Sequence, residues 1–387
     1  MARWPKAGVA GLGGLLLCLG LGLGQCAPAP DPEIRIGVLS YITGERRETS
    51  GVGTGEAVLL AERLLEESGG LHIGNQRYRV RLLIRDIGDR ADLATSEARR
   101  LLNEDGVIAL IGPQFSRDAI PVSSLAEQAR VPMITPMSSH PRTTEGKRFV
   151  FRVAYIDDIQ GGAMARFAWE TLGARKAALL YDVAGEYNRN LAQVFREAFQ
   201  AAGGTIVADE QFTSDEANDF TTQLARVKLM APDVVFSPNF IGPASLQLVQ
   251  ARRMGITATF LGTDSWDPDI MSSLVEARGS FATTPWHTRI GSEEADRFIE
   301  RYRNAYGRVP LATAAATFDA MQLLFHAIEA AGSVDPAAIR DALAATEGFR
   351  GVTGDLSYRG GADPRKSVFI LRVDERGGEF VRRMDPL

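Results

Sequence analysis

The chain has 387 residues, with 43 Lys and Arg against 48 Asp and Glu, a net charge of −5 at pH 7, four His and two Cys. Basic and acidic residues alternate without a basic stripe, which argues against a nucleic-acid partner, and no long like-charge block marks a disordered tail. Both cysteines, Cys18 and Cys26, lie near the N-terminus. The body of the chain therefore has no internal disulfide, cysteine-based zinc site or thiol nucleophile.

The first residues do not read as fold material. Arg3 and Lys6 precede an uncharged apolar run from Ala7 to Gly24, and a Pro-rich polar stretch follows, which is the layout of a secretory signal peptide. A run of about 18 apolar residues also just spans a bilayer. This one is rich in Gly and no comparable run follows, so residues 1–26 are read as a signal peptide that is cleaved. Leu23-Gly24-Gln25-Cys26 resembles the lipobox of bacterial lipoproteins, in which Cys26 is lipidated and becomes the new N-terminus. Gln25 stands where a small residue is usual. Cleavage within Ala27-Pro28-Ala29 competes, and Pro30 opposes it. Both routes export the chain.

After Asp31 the pattern is regular. "EIRIGVLSYITG" predicts a strand over Ile34 to Leu39 entering a Gly-rich loop, and "EAVLLAERLLEESGG" carries apolar residues at helical spacing before Gly69-Gly70 stops it. "RYRVRLLIRD" alternates as a strand, "ADLATSEARRLLNEDG" is an amphipathic helix, "VIALIG" a buried strand, "AIPVSSLAEQAR" a helix and "VPMITP" a short strand. Strands alternating with helices imply βαβ units and a mostly parallel sheet.

The pattern then restarts. "GGAMARFAWETLG", "LAQVFREAFQAAGG", "FTTQLARVKLMA" and "ASLQLVQARRMG" read as helices, and "KAALLYD", "TIVADEQF", "DVVFSPN" and "ATFLGTD" as strands. "ATSEARRLLNEDGVIALIGPQF" resembles "FTTQLARVKLMAPDVVFSPNF", and "AEQARVPMITPMS" resembles "VQARRMGITATFLGTD". The halves match in element order, which predicts an α/β fold of two similar doubly wound parallel-sheet lobes in tandem. "ADRFIERYRNAYG", "AAATFDAMQLLFHAIEAAG" and "PAAIRDALAATEG" are helical, and "GVTGDLSYRGGADPRKSVFILRV" is turns and strands. This tail completes the lobes rather than forming a third, so the chain crosses between lobes more than once.

In open parallel sheets, ligands bind beyond the carboxyl ends of the strands, where backbone donors and helix N-termini converge. The residues just past those ends are therefore the candidates: Tyr41 and Ser50; Phe115 and Ser116; Met137, Ser138 and Ser139; Glu186 and Tyr187; Asn239 and Phe240; Asp264 and Trp266. Ser116 also reads as a helix N-cap. Hydroxyls and helix N-termini suit a carboxylate, while Asp264 and an aromatic face suit an ammonium group, so together they suit a small zwitterion. No group in the set has an evident role in bond breaking.

"IRIGVLSYITG", the Gly69-Gly70 turn, "VIALIGPQFS", "RVPMITPMSS", "ARKAALLYD" with Tyr187 after it, "FLGTD" and "GFRGVTGDLSY" occur in that order. By them the chain resembles the type I periplasmic solute-binding proteins of ABC transporters, in the leucine/isoleucine/valine-binding group. The resemblance implies two lobes with a hinged cleft and three crossovers. Lobe 1 is expected over 32–156 plus 286–352, and lobe 2 over 157–285 plus 353–387. It implies that Ser116 binds an α-carboxylate, that Met137 and Ser139 contact the head group with Ser138 between them in the site, that Tyr187 matches the family's site tyrosine, that Asp264 binds the α-amino group, and that Phe240 matches an aromatic that is often tyrosine, so that one hydroxyl is lost. Ser50 stands where that group carries an aromatic residue, which implies a larger or more polar pocket, and Trp266 and Trp286 suit a bulkier ligand.

His72, His140, His287 and His326 are widely separated and show no metal-binding spacing, and Gly51-Val-Gly-Thr-Gly55 lacks dinucleotide spacing. No nucleophile elbow is present. The expectation is a non-enzymatic, cofactor-free and metal-free monomer. It captures an amino acid or an analogue in the periplasm for an ABC permease, or acts as a sensor of the same fold through a separate membrane partner.

Overall fold

A computed structural model describes residues 31–213 and 218–385. The residues read as a signal peptide, with Cys26, lie outside the described residues. Two sheets organise the chain. The first contains β1 (Glu33–Ser40), β2 (Leu71–Ile73), β3 (Gln76–Asp86), β4 (Ala109–Ile111), β5 (Met133–Thr135) and β6 (Val150–Arg152), in the order β2-β3-β1-β4-β5-β6. Helices α1 (Val52–Glu67), α2 (Ala91–Asn103) and α3 (Ser116–Ala129) join them.

The second sheet contains β7 (Lys176–Asp182), β8 (Thr205–Phe212), β9 (Val234–Phe236), β10 (Thr259–Leu261) and β11 (Phe281–Thr284), together with β14 (Val368–Asp374) and β15 (Gly377–Met384). Its order is β15-β14-β11-β10-β9-β7-β8. Helices α4 (Asp157–Glu170), α5 (Glu186–Ala201), α6 (Thr221–Met230), α7 (Ile241–Arg253) and the short α8 (Pro268–Met271) belong to it. The run β3-β1-β4-β5-β6 has the same connectivity as β8-β7-β9-β10-β11, so the internal similarity of the sequence is a repeated topology.

The central strands are short and wholly buried, as "ALI", "MIT" and "VVF" show, because helices cover both faces of each sheet. Both sheets are mixed at one edge: β2 runs antiparallel to β3, and β14 and β15 are antiparallel to their neighbours. Sequence pattern alone did not reveal β6 and β11, whose residues VFR and FATT lack the continuous apolar run that marks β4 and β9.

Helices α9 (Glu293–Tyr306), α10 (Ala312–Ala331) and α11 (Pro336–Ala345) return to the first sheet. Phe298, Met321 and Leu343 share a core with Ile36 and Ile134. The hairpin of β12 (Phe349–Gly351) and β13 (Gly354–Leu356) follows, and Tyr358 still packs in that core. The division expected at 352/353 therefore cuts this hairpin. We propose that the last crossover lies between Tyr358 and Val368. Lys366 is buried there, its ammonium donating to Thr353, with the Asp319 carboxylate nearby.

In each sheet the chain first moves to one side of its opening strand and then to the other. The reversals fall between β1 and β4 and between β7 and β9, which places a crevice at the carboxyl ends of those strands.

Candidate functional site

A cavity of about 750 Å³ lies at these strand ends, lined from both lobes. The first lobe contributes the turn after β1 with Arg46 and Thr49, the end of β4 with Phe115 and Ser116, and the end of β5 with Met137, Ser138 and Ser139. The second contributes Tyr187 from the first turn of α5, Phe240 after β9, and Asp264 and Trp266 after β10. Ten of the thirteen strand-end candidates line the cavity; Tyr41 and Glu186 stand outside it.

Ser50 does not line it either. It lies in a tight helical turn, Arg47–Gly51, in which the Ser50 and Gly51 N–H groups both donate to the Arg46 carbonyl. Successive residues of a helical turn point roughly 100° apart, so with Thr49 turned to the cavity Ser50 is fully buried and its hydroxyl has no partner. The pocket enlargement inferred from Ser50 is thus corrected: Arg46 and Thr49 form that wall. The turn fits only because Gly51 lacks a side chain, since a Cβ there would sit 1.7 Å from the Tyr41 carbonyl oxygen.

Ser116 is also placed differently from a capping residue. Phe115 is the N-cap of α3 and makes no side-chain cap bond; Ser116 is the first helical residue. Its Oγ lies 3.0 Å from Ser138 Oγ and accepts from His140 N at 3.3 Å, and Ser138 Oγ reaches Thr143 Oγ1 at 2.8 Å. A row of hydroxyls therefore faces the cavity from the first lobe. Arg152 at the end of β6 fixes it. The Arg152 side chain is fully buried, paired with Asp363, and donates to the Ser138 carbonyl at 2.7 Å and to the His140 carbonyl at 3.1 Å. Sequence reasoning missed Arg152, whose only signal is a charge ending a buried strand.

On the opposite wall the Tyr187 hydroxyl donates to Asp264 Oδ1 at 2.6 Å and meets Thr263 Oγ1 at 2.7 Å. Gln160 Oε1 accepts from Asp264 N at 2.8 Å and from Thr283 Oγ1 at 2.6 Å. Burial pushes the Asp264 carboxyl up to about 6, against the hydrogen bonds from Tyr187 and at Gln160. No cation among the described residues pairs with it. Asp157, at the start of α4, is pushed by burial to about 7; the Asn190 side chain donates to it at 3.0 Å.

Aromatic groups join the two walls. Tyr187 stacks on Phe240 at 5.5 Å, and Phe240 meets Phe115 of the other lobe edge-on at 5.5 Å. The Arg46 guanidinium lies over both phenyl rings, 4.7 Å from the Phe115 centroid and 4.9 Å from that of Phe240, and pairs with Asp89. Trp266 is a fixed wall: it is 1% exposed, packs on the bare Cα of Gly262, and donates its indole N–H to the Asn239 carbonyl at 3.0 Å. Among the described residues no group of three or more His, Cys, Asp or Glu is placed to hold a metal. Hydroxyl donors thus face an uncompensated carboxylate across an aromatic-walled cavity, an arrangement suited to holding a small zwitterion.

A protein-family profile described as "Periplasmic binding protein" matches residues 33–379. A Leu/Ile/Val-binding protein homolog of Brucella abortus is 26% identical over 369 residues, covering 95% of this chain and 96% of that one. The crystal structure of a leucine-binding protein from Thermotoga maritima superposes with a TM-score of 0.81 at 30% identity, covering 91% of this chain and 99% of its own. A branched-chain amino acid transporter substrate-binding protein of Streptococcus pneumoniae, solved with isoleucine, gives 0.83 at 26% identity, covering 92% and 100%.

Proposed function

The chain belongs to the periplasmic binding protein family, and from that footing we propose that it captures an α-amino acid or close analogue between its lobes and hands it to an ABC permease. In this reading Ser116 and Ser139, with the Met137 and Ser138 backbone, receive the α-carboxylate. Asp264 and the Tyr187 hydroxyl receive the α-ammonium, and Phe240 and Trp266 wall the site. A ligand bridging the two sets draws the lobes together and stabilises the closed form in proportion to its contacts with both.

The observation that carries the reading is Asp264. Its carboxylate is held at low polarity beside a ligand-sized cavity, with no cation among the described residues to balance it. Buried charges are paired, and here the missing partner is one the ligand supplies. The family implies export to the periplasm. Attachment there through a lipidated Cys26, and action as a monomer, are part of the proposal.

A thermal-shift screen against amino acids, their amides, small carboxylates and polyamines tests it. A ligand at a hundred times its dissociation constant stabilises by about 2.7 kcal/mol, a clear melting shift. Amino acids should register, and compounds lacking either the carboxylate or the ammonium should not. Hits confined to the latter compounds would remove the assigned roles of Ser116 or Asp264.

A further inference from the structure

Resting on the head-group reading above, we propose that the ligand is an α-amino acid whose side chain ends in an uncharged carboxamide, and that Arg46 selects it. The side-chain end of the cavity is polar on the first-lobe wall, where Arg46, Thr49, Asp89 and Arg117 line it, with Glu45 exposed on the same rim. Arg46 is one-fifth exposed and held over the edge-on pair of the Phe115 and Phe240 rings, so its guanidinium is both oriented and partly desolvated.

Its hydrogen-bonding capacity is underused. Nη1 pairs with Asp89, and the Nε and Nη2 hydrogens have no acceptor among the described residues. Arg117, by contrast, reaches Asp118 through Nε and both Asp89 and Asp118 through Nη2. An aliphatic ligand side chain against Arg46 would strip water from these donors and return nothing. A ligand carbonyl oxygen would satisfy them.

The charge balance separates the remaining candidates. Among the described residues, six carboxylates line the cavity against the guanidiniums of Arg46 and Arg117, so a second carboxylate on the ligand enters a field of its own sign. A second ammonium would lie against Arg46 itself. A carboxamide avoids both conflicts: its oxygen accepts from Arg46, and its NH₂ donates to the neighbouring Asp89 or Glu45 carboxylate.

Calorimetric titration of the purified protein with asparagine, leucine, glutamine and glutamate tests the inference, since asparagine and leucine are near-isosteric, as are glutamine and glutamate. The expected result is that the better carboxamide binds at least about tenfold tighter than leucine and glutamate. Arg46→Met should lose about tenfold or more for the carboxamide while leaving leucine within about threefold. If Arg46→Met melts far below wild type, Arg46→Lys carries the same comparison, because it keeps the charge beside Asp89 and loses the planar fork. Preference for leucine or glutamate, or carboxamide affinity unchanged in the variant, overturns this inference and leaves the head-group reading standing. Failure of every α-amino acid to bind overturns the head-group reading and this inference with it.

Discussion

Replacing Asp264 by Asn probes the site most directly. Burial raises the Asp264 carboxyl to about 6, about two units above the ordinary value, so ionising it in the ligand-free cavity costs about 3 kcal/mol. A ligand ammonium against it offsets that cost. Removing one partner of such a buried pair typically loses about 3–5 kcal/mol, or roughly two to three and a half decades of affinity. The pH dependence has a definite sign. In the complex the ammonium holds the carboxyl well below 6, so wild-type affinity is full above pH 6 and falls as pH drops through that value. Asp264→Asn should lose this step. The free protein responds in the opposite sense. The folded-state value lies above the unfolded one, so the folded state binds the proton more tightly and stability from this group declines as pH rises from about 4 to 6. Ligand-free Asp264→Asn should therefore melt above wild type at neutral pH. Titration calorimetry and melting from about pH 4 to 8 read both effects. Unchanged affinity in the variant, or a retained step near pH 6, would refute the reasoning.

Two further outcomes follow from the geometry. Ser116→Ala removes a hydroxyl that contacts Ser138 Oγ and His140 N, and calorimetry should show a loss of about 1.5–3 kcal/mol for a hydrogen bond to a charged group, with the step near pH 6 intact. Gly51→Ala drives a Cβ to 1.7 Å from the Tyr41 carbonyl oxygen; the denaturant midpoint should fall by the equivalent of about 1–3 kcal/mol or more, and affinity should fall with it because the same turn carries Arg46 and Thr49.

How far the chain could be read in advance depended on the range of the interactions. "KAALLYD" and "TIVADEQF" form β7 and β8 end to end as read, because exposure alternation or full burial is written into adjacent residues. The two-lobe arrangement was legible because the βαβ pattern repeats, and the strand-end rule then placed Ser116, Met137, Ser138, Ser139, Tyr187, Phe240, Asp264 and Trp266 at one cavity. Strands β6 and β11, VFR and FATT, lack a continuous apolar run, and they are recognisable only once neighbouring strands supply their hydrogen-bond partners.

Local sequence by itself determined most of the strands and helices and which residues stand at the strand ends. What it left open are the directions of side chains at those ends and their long-range partners. Thr49 and Ser50 are adjacent and similarly polar, yet one faces the cavity and the other is buried, a difference set by a helical turn packed against Tyr41. Arg152 reads as an isolated charge until the fold brings Asp363 and the Ser138 and His140 carbonyls around it. Arg46 acquires its place only when Phe115 and Phe240, from different lobes, meet edge-on beneath its guanidinium. The physical reason is common to all three: secondary structure follows from nearest neighbours, whereas orientation, burial and charge compensation depend on groups that meet only after the chain has crossed between its lobes.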